Sequence, residues 1–357
     1  MVHRSTRDPG SFRVEPVSTA TSRGLDLPAI SAFLTRQGVA VEGELSARLI
    51  EGGRSNLTFV VADSRHQWVV RRPPTGGTTP SAHDVAREFR VTRALEATDV
   101  PVARTVALCE DLSVIGAVFT VVEFVDGTAI RTQSELEQLE DAEIMACVQG
   151  LVSALAALHR VDYQSIGLER FGRPRGYAAR QLRRWSGQWD IVSAGDSTLA
   201  DRLLRRLADS IPDQRHSTIV HGDFRIDNTL VAGDDPGVVR AIVDWELSTI
   251  GDPVADVALM CAYRHSGLNL VLGTSAAWTS ARLPPVDVLA ELYEATADIR
   301  LDSWDFYMGL AYYKLAVIAE GINHRYRAGA TFGEGFDTAG ESVTAFLEAG
   351  LAHVASR

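Results

Sequence analysis

Three polar residues near the middle of the chain have the types and the spacing of a phosphoryl-transfer site. The segment HGDFRIDN, residues 221–228, places Asp223 five residues before Asn228. A second aspartate, Asp244, follows 21 residues after Asp223, behind an apolar run. One carboxylate can accept the proton of an attacking hydroxyl, while an amide oxygen and a second carboxylate hold Mg²⁺ against nucleotide phosphates. The spacing predicts Asp223 as the base, and Asn228 and Asp244 as the Mg²⁺ ligands.

The polar neighbours of these residues have supporting roles or structural ones. Arg225 lies two residues after Asp223, where it could neutralise charge on the transferring phosphoryl group or lie at the surface. His221 could be a metal ligand or a base, but such a histidine is more often structural and bonds backbone carbonyls. We expect Asp252 to cap the helix that follows it, and Asp256 to anchor the backbone of the catalytic loop.

A glycine-containing turn upstream could cover phosphates with its backbone N–H groups. The segment EGGRSNLTFVV, residues 51–61, lies between two strand-like runs. Gly-Gly is also an ordinary hairpin turn, so both interpretations stay open. The candidate nucleotide contacts in this segment are Gly52, Gly53, Ser55 and Asn56.

A strand cation and a helix carboxylate form the next candidate pair. The run WVVRR at residues 68–72 ends in two arginines, and REFR at residues 87–90 lies in the following helix. In kinases such a pair fixes the α- and β-phosphates, which favours Arg71 paired with Glu88 over a solvated strand end. The later run VVEFV closes the β-rich part, and its backbone near Glu123 and Val125 could hydrogen-bond an adenine.

Composition removes several classes of function. The net charge of −11 makes nucleic acid an unfavourable partner and weakly favours a cationic substrate, although acidity also serves solubility. Lys314 is the only lysine and lies in YYKLAV, so the chain contains no Walker A sequence. A GxGxxG motif after a strand is also missing, which argues against a Rossmann dinucleotide site.

The rest of the composition is that of an ordinary globular protein. The three cysteines are odd in number and far apart, which argues against a disulfide framework and a zinc site. No run of 18 apolar residues is present, so no membrane span is expected. The polar N-terminal segment lacks the apolar stretch of a signal peptide. A cytoplasmic location is the expectation.

The elements around these residues predict an α+β architecture. Strand-like runs and one helix, near residues 81–98, precede residue 125, and helical periodicity dominates afterwards. We therefore predict a loose tail at residues 1–24, a β-rich lobe at 25–125 and a mainly helical lobe at 126–357. The predicted strands are 47–51, 58–62, 68–72, 106–109 and 119–124, and the remaining predicted helices are 27–37, 135–161 and 303–321.

Taken together, the motifs resemble the aminoglycoside phosphotransferase and choline kinase family, which has the protein-kinase fold. HGDFRIDNTL, IVDWELSTIGDPVADVA and the upstream segments occur in the expected order over about residues 25–330. The resemblance implies ATP and Mg²⁺ as cofactors, Asp223 as catalytic base, and Asn228 and Asp244 as metal ligands. Arg71 stands where most kinases have lysine. The segment WELSTIGDP is most similar to kinase-like domains that accompany acyl-CoA dehydrogenases.

The identity of the acceptor stays open at this point. An aminoglycoside, a hydroxyacyl-CoA compound and a hydroxy acid are all compatible with the motifs. The basic and aromatic segment GYAARQLRRWSGQW, residues 176–189, would favour an anionic acceptor if it lines the site. Candidate acceptor contacts are Glu246, Trp185, Tyr263, Tyr307 and Tyr313.

Two functions of a different class also fit parts of the sequence. The first is a nucleotide-binding protein without catalytic activity, a pseudokinase. The second is a hydrolase that binds metal through His216, His221 and three aspartates. Hydrolases of that kind usually bring several histidines to the metal, so Asn228 and the β-rich part before it favour a kinase.

Overall fold

The computed structural model describes residues 24–50, 56–74, 84–193, 195, 197–329 and 337–354. Within them the chain divides into two compact units. The first comprises the described residues up to Ala86 together with Val106–Phe124. The second comprises Arg87–Thr105 and everything from Val125 onward, so it includes a segment that the sequence prediction assigned to the β-rich lobe.

The first unit is built on a five-stranded antiparallel sheet in the order β1-β2-β3-β5-β4. Thr58 pairs with Arg71 between β2 and β3, and Arg71 pairs with Thr120 between β3 and β5. The predicted strands are therefore present with small shifts at their ends. Their bounds are β1 Ser46–Leu49, β2 Leu57–Ala62, β3 Gln67–Arg72, β4 Thr105–Cys109 and β5 Phe119–Glu123.

Helix α1, Leu27–Arg36, covers one face of this sheet. The Asp26 side chain caps it by accepting from the N–H of Ala29 at 2.9 Å, and a proline occupies its first turn. Its apolar side chains pack against alternate residues of the strands, and the rings of Phe33 and Phe119 meet edge-to-face at 5.2 Å. Burying each large side chain contributes about 1.5–3 kcal/mol, which fixes the sheet against the helix.

The second unit is mainly helical. Its core forms around α4, whose residues Ile144, Val148, Leu151, Leu155 and Leu158 are almost completely buried, as their spacing predicts. The helix bounds in the described part of the chain are α2 Val85–Leu95, α3 Gln133–Leu136, α4 Asp141–Arg160, α5 Tyr177–Val192, α6 Thr198–Asp209, α7 Pro253–Ala262, α8 Gly267–Leu272, α9 Val286–Ala297, α10 Trp304–Arg327 and α11 Val343–His353.

The predicted helices 27–37 and 81–98 end one and three residues beyond α1 and α2, and two other helix predictions differ more. The predicted helix 135–161 is divided into α3 and α4, because capping boxes at Thr132/Glu135 and at Glu140/Glu143 begin two separate helices. The predicted helix 303–321 continues to Arg327, with polar residues on its last turns. The spacing of apolar residues does not predict such an extension, because the added residues bury little apolar surface.

Helix α4 is long and apolar enough to cross a membrane by length and composition alone. More than half of its most apolar stretch, 56%, is buried inside the protein, as in a core helix. The expected absence of a membrane role stays a prediction.

Two short antiparallel pairs in the second unit carry the polar loops. β6, Thr218–Val220, pairs with β9, Thr249–Gly251, and β7, Thr229–Val231, pairs with β8, Val239–Ile242. The three cysteines of the chain are buried and unpaired. The expected two-lobed α+β fold is confirmed.

Candidate active site

The loop between β6 and β7 carries most of the predicted catalytic residues. It turns at Gly222, whose φ of 83° lies in the left-handed region that favours glycine. A Cβ at this position would lie 2.8 Å from the carbonyl oxygen of Leu247, closer than real Cβ atoms approach. The backbone therefore requires a glycine between His221 and Asp223.

Asp223 and Asn228 are joined directly by hydrogen bonds within this loop. Nδ2 of Asn228 donates to the backbone oxygen of Asp223 at 2.8 Å and to its Oδ2 at 3.1 Å. Because both bonds use the amide nitrogen, the amide oxygen of Asn228 remains an acceptor for another group. The five-residue spacing thus orients an amide oxygen beside a carboxylate.

The antiparallel pair of β7 and β8 brings Asp244 close to Asn228 in the fold. Thr229 pairs with Ile242, and the N–H of Val243 donates to the carbonyl of Asn228 at 2.9 Å. Asp244 comes next, with φ of 66° and ψ of 59°. A left-handed conformation costs a non-glycine residue about 1–2 kcal/mol, and such strain is concentrated at functional sites. The two predicted Mg²⁺ ligands therefore lie at neighbouring strand ends, Asn228 just before the start of β7 and Asp244 just after the end of β8.

The oxygen donors at these strand ends fit a magnesium ion. Mg²⁺ usually binds one or two protein carboxylates and completes its shell with substrate phosphates and water. Asn228 and Asp244 supply the two oxygens that such a shared site needs. Across the described ranges, no group of three or more His, Cys, Asp or Glu residues could hold a metal ion by itself.

The geometry does not favour the metal-dependent hydrolase, because two of its expected ligands use their polar atoms elsewhere. Nε2 of His221 lies 3.0 Å from the carbonyl of Val243, and its Nδ1 accepts from the N–H of Asp223 at 3.3 Å. Asp252 caps α7 through the N–H of Val254 and accepts from the hydroxyl of Tyr307 at 2.8 Å. His221 is thus the structural histidine that the sequence favoured.

Asp256 anchors the start of the loop between β6 and β7, as its position in the sequence predicts. Its Oδ2 accepts from the backbone N–H of His221 at 2.5 Å, and its Oδ1 from that of Gly222 at 2.7 Å. Nε2 of His159 lies 3.3 Å from Oδ2, and Nδ1 of His159 lies 2.6 Å from the hydroxyl of Tyr293. Burial alone would raise the pKa of Asp256, but these donors and the nearby histidines outweigh it and lower the pKa.

Tyr263 and Arg225 border the carboxylate of Asp223. The hydroxyl of Tyr263 donates to Oδ1 of Asp223. Nε of Arg225 lies 3.7 Å from the same oxygen, its Nη1 lies 3.0 Å from Asp227, and its guanidinium carbon lies 5.3 Å from the Tyr263 ring centre. Burial opposes the charge of Arg225, but both carboxylates raise its pKa. This excludes the surface position for Arg225, whereas its predicted contact with a phosphoryl group stays a prediction.

Helix α2 supports the segment that follows Asp244. Oε1 of Glu88 accepts from the N–H of Trp245 at 3.3 Å. The guanidinium of Arg87 donates to the carbonyl of Phe171 at 2.6 Å and to that of Ser248 at 3.1 Å. Glu88 is therefore tied to the segment beside the predicted metal ligand, while its pairing with a strand cation stays a prediction.

In the first unit, the two arginines of β3 lie on opposite faces of the sheet. Arg72 shares the face covered by α1, where it is buried and donates to the carbonyls of Gly24 and Pro73. Arg71 lies on the other face, next to Val69 in the alternation of the strand. Arg71, the arginine that the sequence favoured, therefore lies on the face of the sheet opposite α1.

The structure describes only some of the other residues that were predicted to contact the nucleotide. Asn56, just before β2, is 4% exposed, and both atoms of its amide lack a hydrogen-bond partner among the described residues. Glu123 ends β5 opposite Trp68, and Val125 opens the second unit. Three predicted contacts lie outside the described residues, namely Gly52, Gly53 and Ser55.

Two residues contact the loop in a way that the sequence did not predict. Lys314 of α10 donates from Nζ to the carbonyl of Gly222 at 2.7 Å, although its spacing predicted only a packed helix. Tyr263 was one of five candidate acceptor contacts, and its bond to Asp223 follows from tertiary structure alone. Of the remaining four, Trp185 and Tyr307 line a cavity next to the loop, Tyr313 is fully buried, and Glu246 lies in the turn after Asp244.

Comparison with known proteins gives a consistent family. The sequence model of the APH phosphotransferase enzyme family matches residues 46–292. A solved structure from Ralstonia eutropha, described as an aminoglycoside phosphotransferase, is 32% identical, with a TM-score of 0.79 over 92% of this chain and 98% of that chain. APH(4)-Ia in ternary complex with AMP-PNP and hygromycin B is 15% identical, with a TM-score of 0.61 over 92% of this chain and 100% of that chain. The latter likeness shows the fold alone.

The curated relatives are longer proteins, and they are named as acyl-CoA dehydrogenases rather than as phosphotransferases. Mouse acyl-CoA dehydrogenase family member 10 is 34% identical over 296 residues, which cover 82% of this chain and 28% of the relative. The chain spans 28% to 44% of the length of seven curated relatives that it matches. The family match and the Ralstonia structure nevertheless cover most of this chain. This chain belongs to the APH phosphotransferase enzyme family.

Proposed function

We propose that this protein transfers the γ-phosphoryl group of ATP to a hydroxyl of a small molecule in an Mg²⁺-dependent reaction. The observation that carries the proposal is the hydrogen-bonded pair of Asp223 and Asn228, with Asp244 following the neighbouring strand end. In phosphoryl transfer the protein supplies a base and oxygen ligands for the metal ion. Family membership supports the same reaction class, and APH(4)-Ia has been solved with AMP-PNP and hygromycin B.

In the proposed reaction the acceptor oxygen forms a bond to the γ-phosphorus. The bond between that phosphorus and the oxygen bridging the β- and γ-phosphates breaks, and ADP leaves. The proton of the acceptor hydroxyl passes to Asp223, whose Oδ2 is held by Asn228 and whose Oδ1 accepts from Tyr263. A carboxylate oxygen has two acceptor sites, so the acceptor hydroxyl can bind Oδ1 beside the tyrosine.

The donor side of the proposal assigns the remaining polar residues to the nucleotide. Asn228 and Asp244 would hold Mg²⁺, which when bound neutralises charge on the nucleotide phosphates. A buried amide without a partner costs about 1–3 kcal/mol, so a nucleotide bound at Asn56 would offset that cost. Arg225 is proposed to stabilise the charge that develops on the phosphoryl group. The further proposed nucleotide contacts are Arg71, Glu88, Glu123 and Val125, together with Gly52, Gly53 and Ser55.

Two acceptor classes are proposed from different observations. The fold neighbour with hygromycin B favours an aminoglycoside-like acceptor. The acyl-CoA dehydrogenase names of the curated relatives favour a hydroxyacyl-CoA compound or a hydroxy acid. The segment of α5 supports the second class only in part, because Tyr177, Gln181 and Trp185 line the cavity next to Gly222 but none of the α5 arginines does.

A phosphate-transfer screen tests the proposed function. Purified protein is incubated with ATP and Mg²⁺ against aminoglycosides, choline-like amino alcohols, hydroxy acids and hydroxyacyl-CoA compounds together. With an accepted substrate, Asp223→Asn should lower kcat by about 10²–10⁴, since positioned general bases contribute this much. Asp244→Asn should raise the Kd for ATP in the presence of Mg²⁺, measured with a fluorescent nucleotide.

Controls separate loss of chemistry from loss of structure. Asp209→Asn changes an exposed aspartate at the end of α6 and should behave as wild type. Wild-type turnover by either active-site variant would exclude the assigned roles. Nucleotide binding without transfer to any member of the panel would instead support the non-catalytic nucleotide-binding protein.

A further inference from the structure

A small cavity lies beside the catalytic loop within the second unit. Its volume is about 30 Å³, enough for water molecules or a small polar head group. Helices α5, α7 and α10 form its walls, and the loop closes it at Gly222. The lining residues that matter here are Tyr177, Gln181, Trp185, Gly222, Tyr307 and Lys314.

Lys314 presents a cation to this cavity. Its Nζ donates to the carbonyl of Gly222 at 2.7 Å and lies 5.4 Å from the centre of the Trp185 ring. An ammonium has three donors, and the bond to Gly222 uses one of them. Within the described ranges no carboxylate lies within ion-pair distance of its Nζ, and Asp223 and Asp256 act on its charge only from a longer distance.

Gln181 adds a second donor to the lining, whereas the hydroxyl of Tyr307 gives its proton to Asp252. The Gln181 carbonyl oxygen accepts from Nε1 of Trp185 at 3.2 Å, which leaves the amide N–H₂ of Gln181 as its remaining function. Asp256 touches the cavity, but its oxygens are used by His221, Gly222 and His159. A group that accepts hydrogen bonds and carries negative charge therefore matches the lining best.

A purely structural role does not explain a lysine at this position. Holding one backbone carbonyl needs a single neutral donor, whereas burying an unpaired cation is costly. Elsewhere the chain uses arginine for every permanent cation, and Lys314 is its only lysine. An ammonium is a compact point charge that fits a small cavity, unlike the planar guanidinium.

We propose that this cavity binds an acidic oxygen group of the phosphoryl acceptor, a carboxylate or a phosphate, with Lys314 as its counter-ion. The inference rests on the proposed function and adds a specificity-determining residue to it. Lys314 contacts Gly222, the residue directly before Asp223, so the acidic group and the reacting hydroxyl lie a few bonds apart. Lys314 would repel a cationic group of the acceptor.

The single lysine makes binding measurable without turnover. Wild-type protein is acetylated with an amine-reactive reagent, and the rate at the peptide containing Lys314 is followed by mass spectrometry. The probes are 3-hydroxybutyrate for a carboxylate, glycerol 3-phosphate for a phosphate, and 1,3-butanediol and choline as neutral and cationic matches. An acidic probe at ten times its Kd should slow acetylation roughly tenfold, since only the unoccupied fraction reacts.

The outcomes divide clearly. Protection by 3-hydroxybutyrate alone, by glycerol 3-phosphate alone or by both identifies the acidic group and supports the proposal. Equal protection by 1,3-butanediol or choline, or no protection by either acidic probe, overturns it. Protection without any phosphoryl transfer in the substrate screen would retain the binding site and reject the proposed function, so the two failures are distinguishable.

Two variants separate specificity from support of the loop. With an accepted acidic substrate, Lys314→Met should raise the acceptor KM roughly tenfold and leave the KM for ATP unchanged, because a charge-assisted hydrogen bond is lost. Lys314→Arg keeps the charge and should recover part of the acceptor affinity. A merely structural role would instead lower kcat for every acceptor and lower the melting temperature in both variants.

Discussion

Asp256 holds the loop between β6 and β7 through two consecutive backbone amides, and asparagine at this position should release one of them. In the native protein the carboxylate accepts from the N–H of His221 and of Gly222, at 2.5 and 2.7 Å, and from His159 at 3.3 Å. An asparagine of the same shape has one oxygen and one N–H₂ group. One backbone N–H must then face another donor.

The expected loss of stability follows from these bonds. A hydrogen bond to a charged group contributes about 1.5–3 kcal/mol, and a buried N–H left unpaired costs about 1–3 kcal/mol. Because the two effects overlap at one site, we expect Asp256→Asn to lower the free energy of unfolding by about 3 kcal/mol. At roughly 2 °C per kcal/mol for a protein of this size, the melting temperature should fall about 6 °C.

Urea titration and thermal denaturation measure this change, with phosphoryl transfer measured in the same preparations. Asp209→Asn, an exposed aspartate, is the matched control and should stay within about 0.5 kcal/mol of wild type. The loop carries Asp223, so kcat should fall about tenfold or more in Asp256→Asn. If Asp256→Asn were as stable and as active as the control, Asp256 would not hold the loop.

The pH dependence gives an independent check on the same carboxylate. Its pKa in the folded protein is lower than the ordinary value of 3.8. Its stabilising contribution is therefore fully present above that value and is lost as the pH falls below it. Wild type should lose its advantage over Asp256→Asn only in this acidic range.

Three further changes test the remaining contacts of the loop. Tyr263→Phe removes the donor to Oδ1 of Asp223 and should lower kcat about tenfold with little change in the KM for ATP, measured by steady-state kinetics. Gly222→Ala places a methyl group 2.8 Å from the Leu247 carbonyl at a φ of 83°, and should reduce unfolding free energy by about 2–4 kcal/mol in urea titrations; wild-type stability would contradict the strain. Burial lowers the pKa of Lys314 to about 8 against a value of 10.5, so the unfolded chain binds more protons above that pH. From about pH 7 to about pH 9 the unfolding free energy of wild type should therefore rise by about 1 kcal/mol relative to Lys314→Met, and parallel curves in urea would refute this.

The catalytic loop was predictable because its chemistry is local in the sequence. Asp223 and Asn228 are five residues apart, and a single loop brings their side chains together. Asp244 needed one further assumption, a β-hairpin, which the apolar runs on either side of the turn favour. The roles of Asp252 and Asp256 were also predictable, because a proline marks the start of the helix and the spacing places Asp252 at its N-cap and Asp256 in its first turn.

Contacts between distant segments were not predictable in the same way. Tyr263 and Lys314 reach the loop from 40 and 92 residues away, and their helical spacing indicates only burial. The buried contact of His159 with Tyr293 joins α4 to α9, and no periodicity specifies which polar side chains pair across a core. Arg71 and Arg72 were separable only by the face of the sheet that α1 covers, which alternation alone leaves undecided.

The buried cysteines allow local unfolding of the protein to be detected by thiol modification. Cys109 lies in the sheet unit, whereas Cys147 and Cys261 lie in the helical unit. Burial raises the pKa of the Cys147 and Cys261 thiols to about 12, which keeps them unreactive while the fold is closed. Modification by a thiol reagent therefore requires local unfolding, and peptide mapping assigns each event to one unit. The rate at which each native cysteine is modified therefore measures local unfolding of its own unit, without any introduced label.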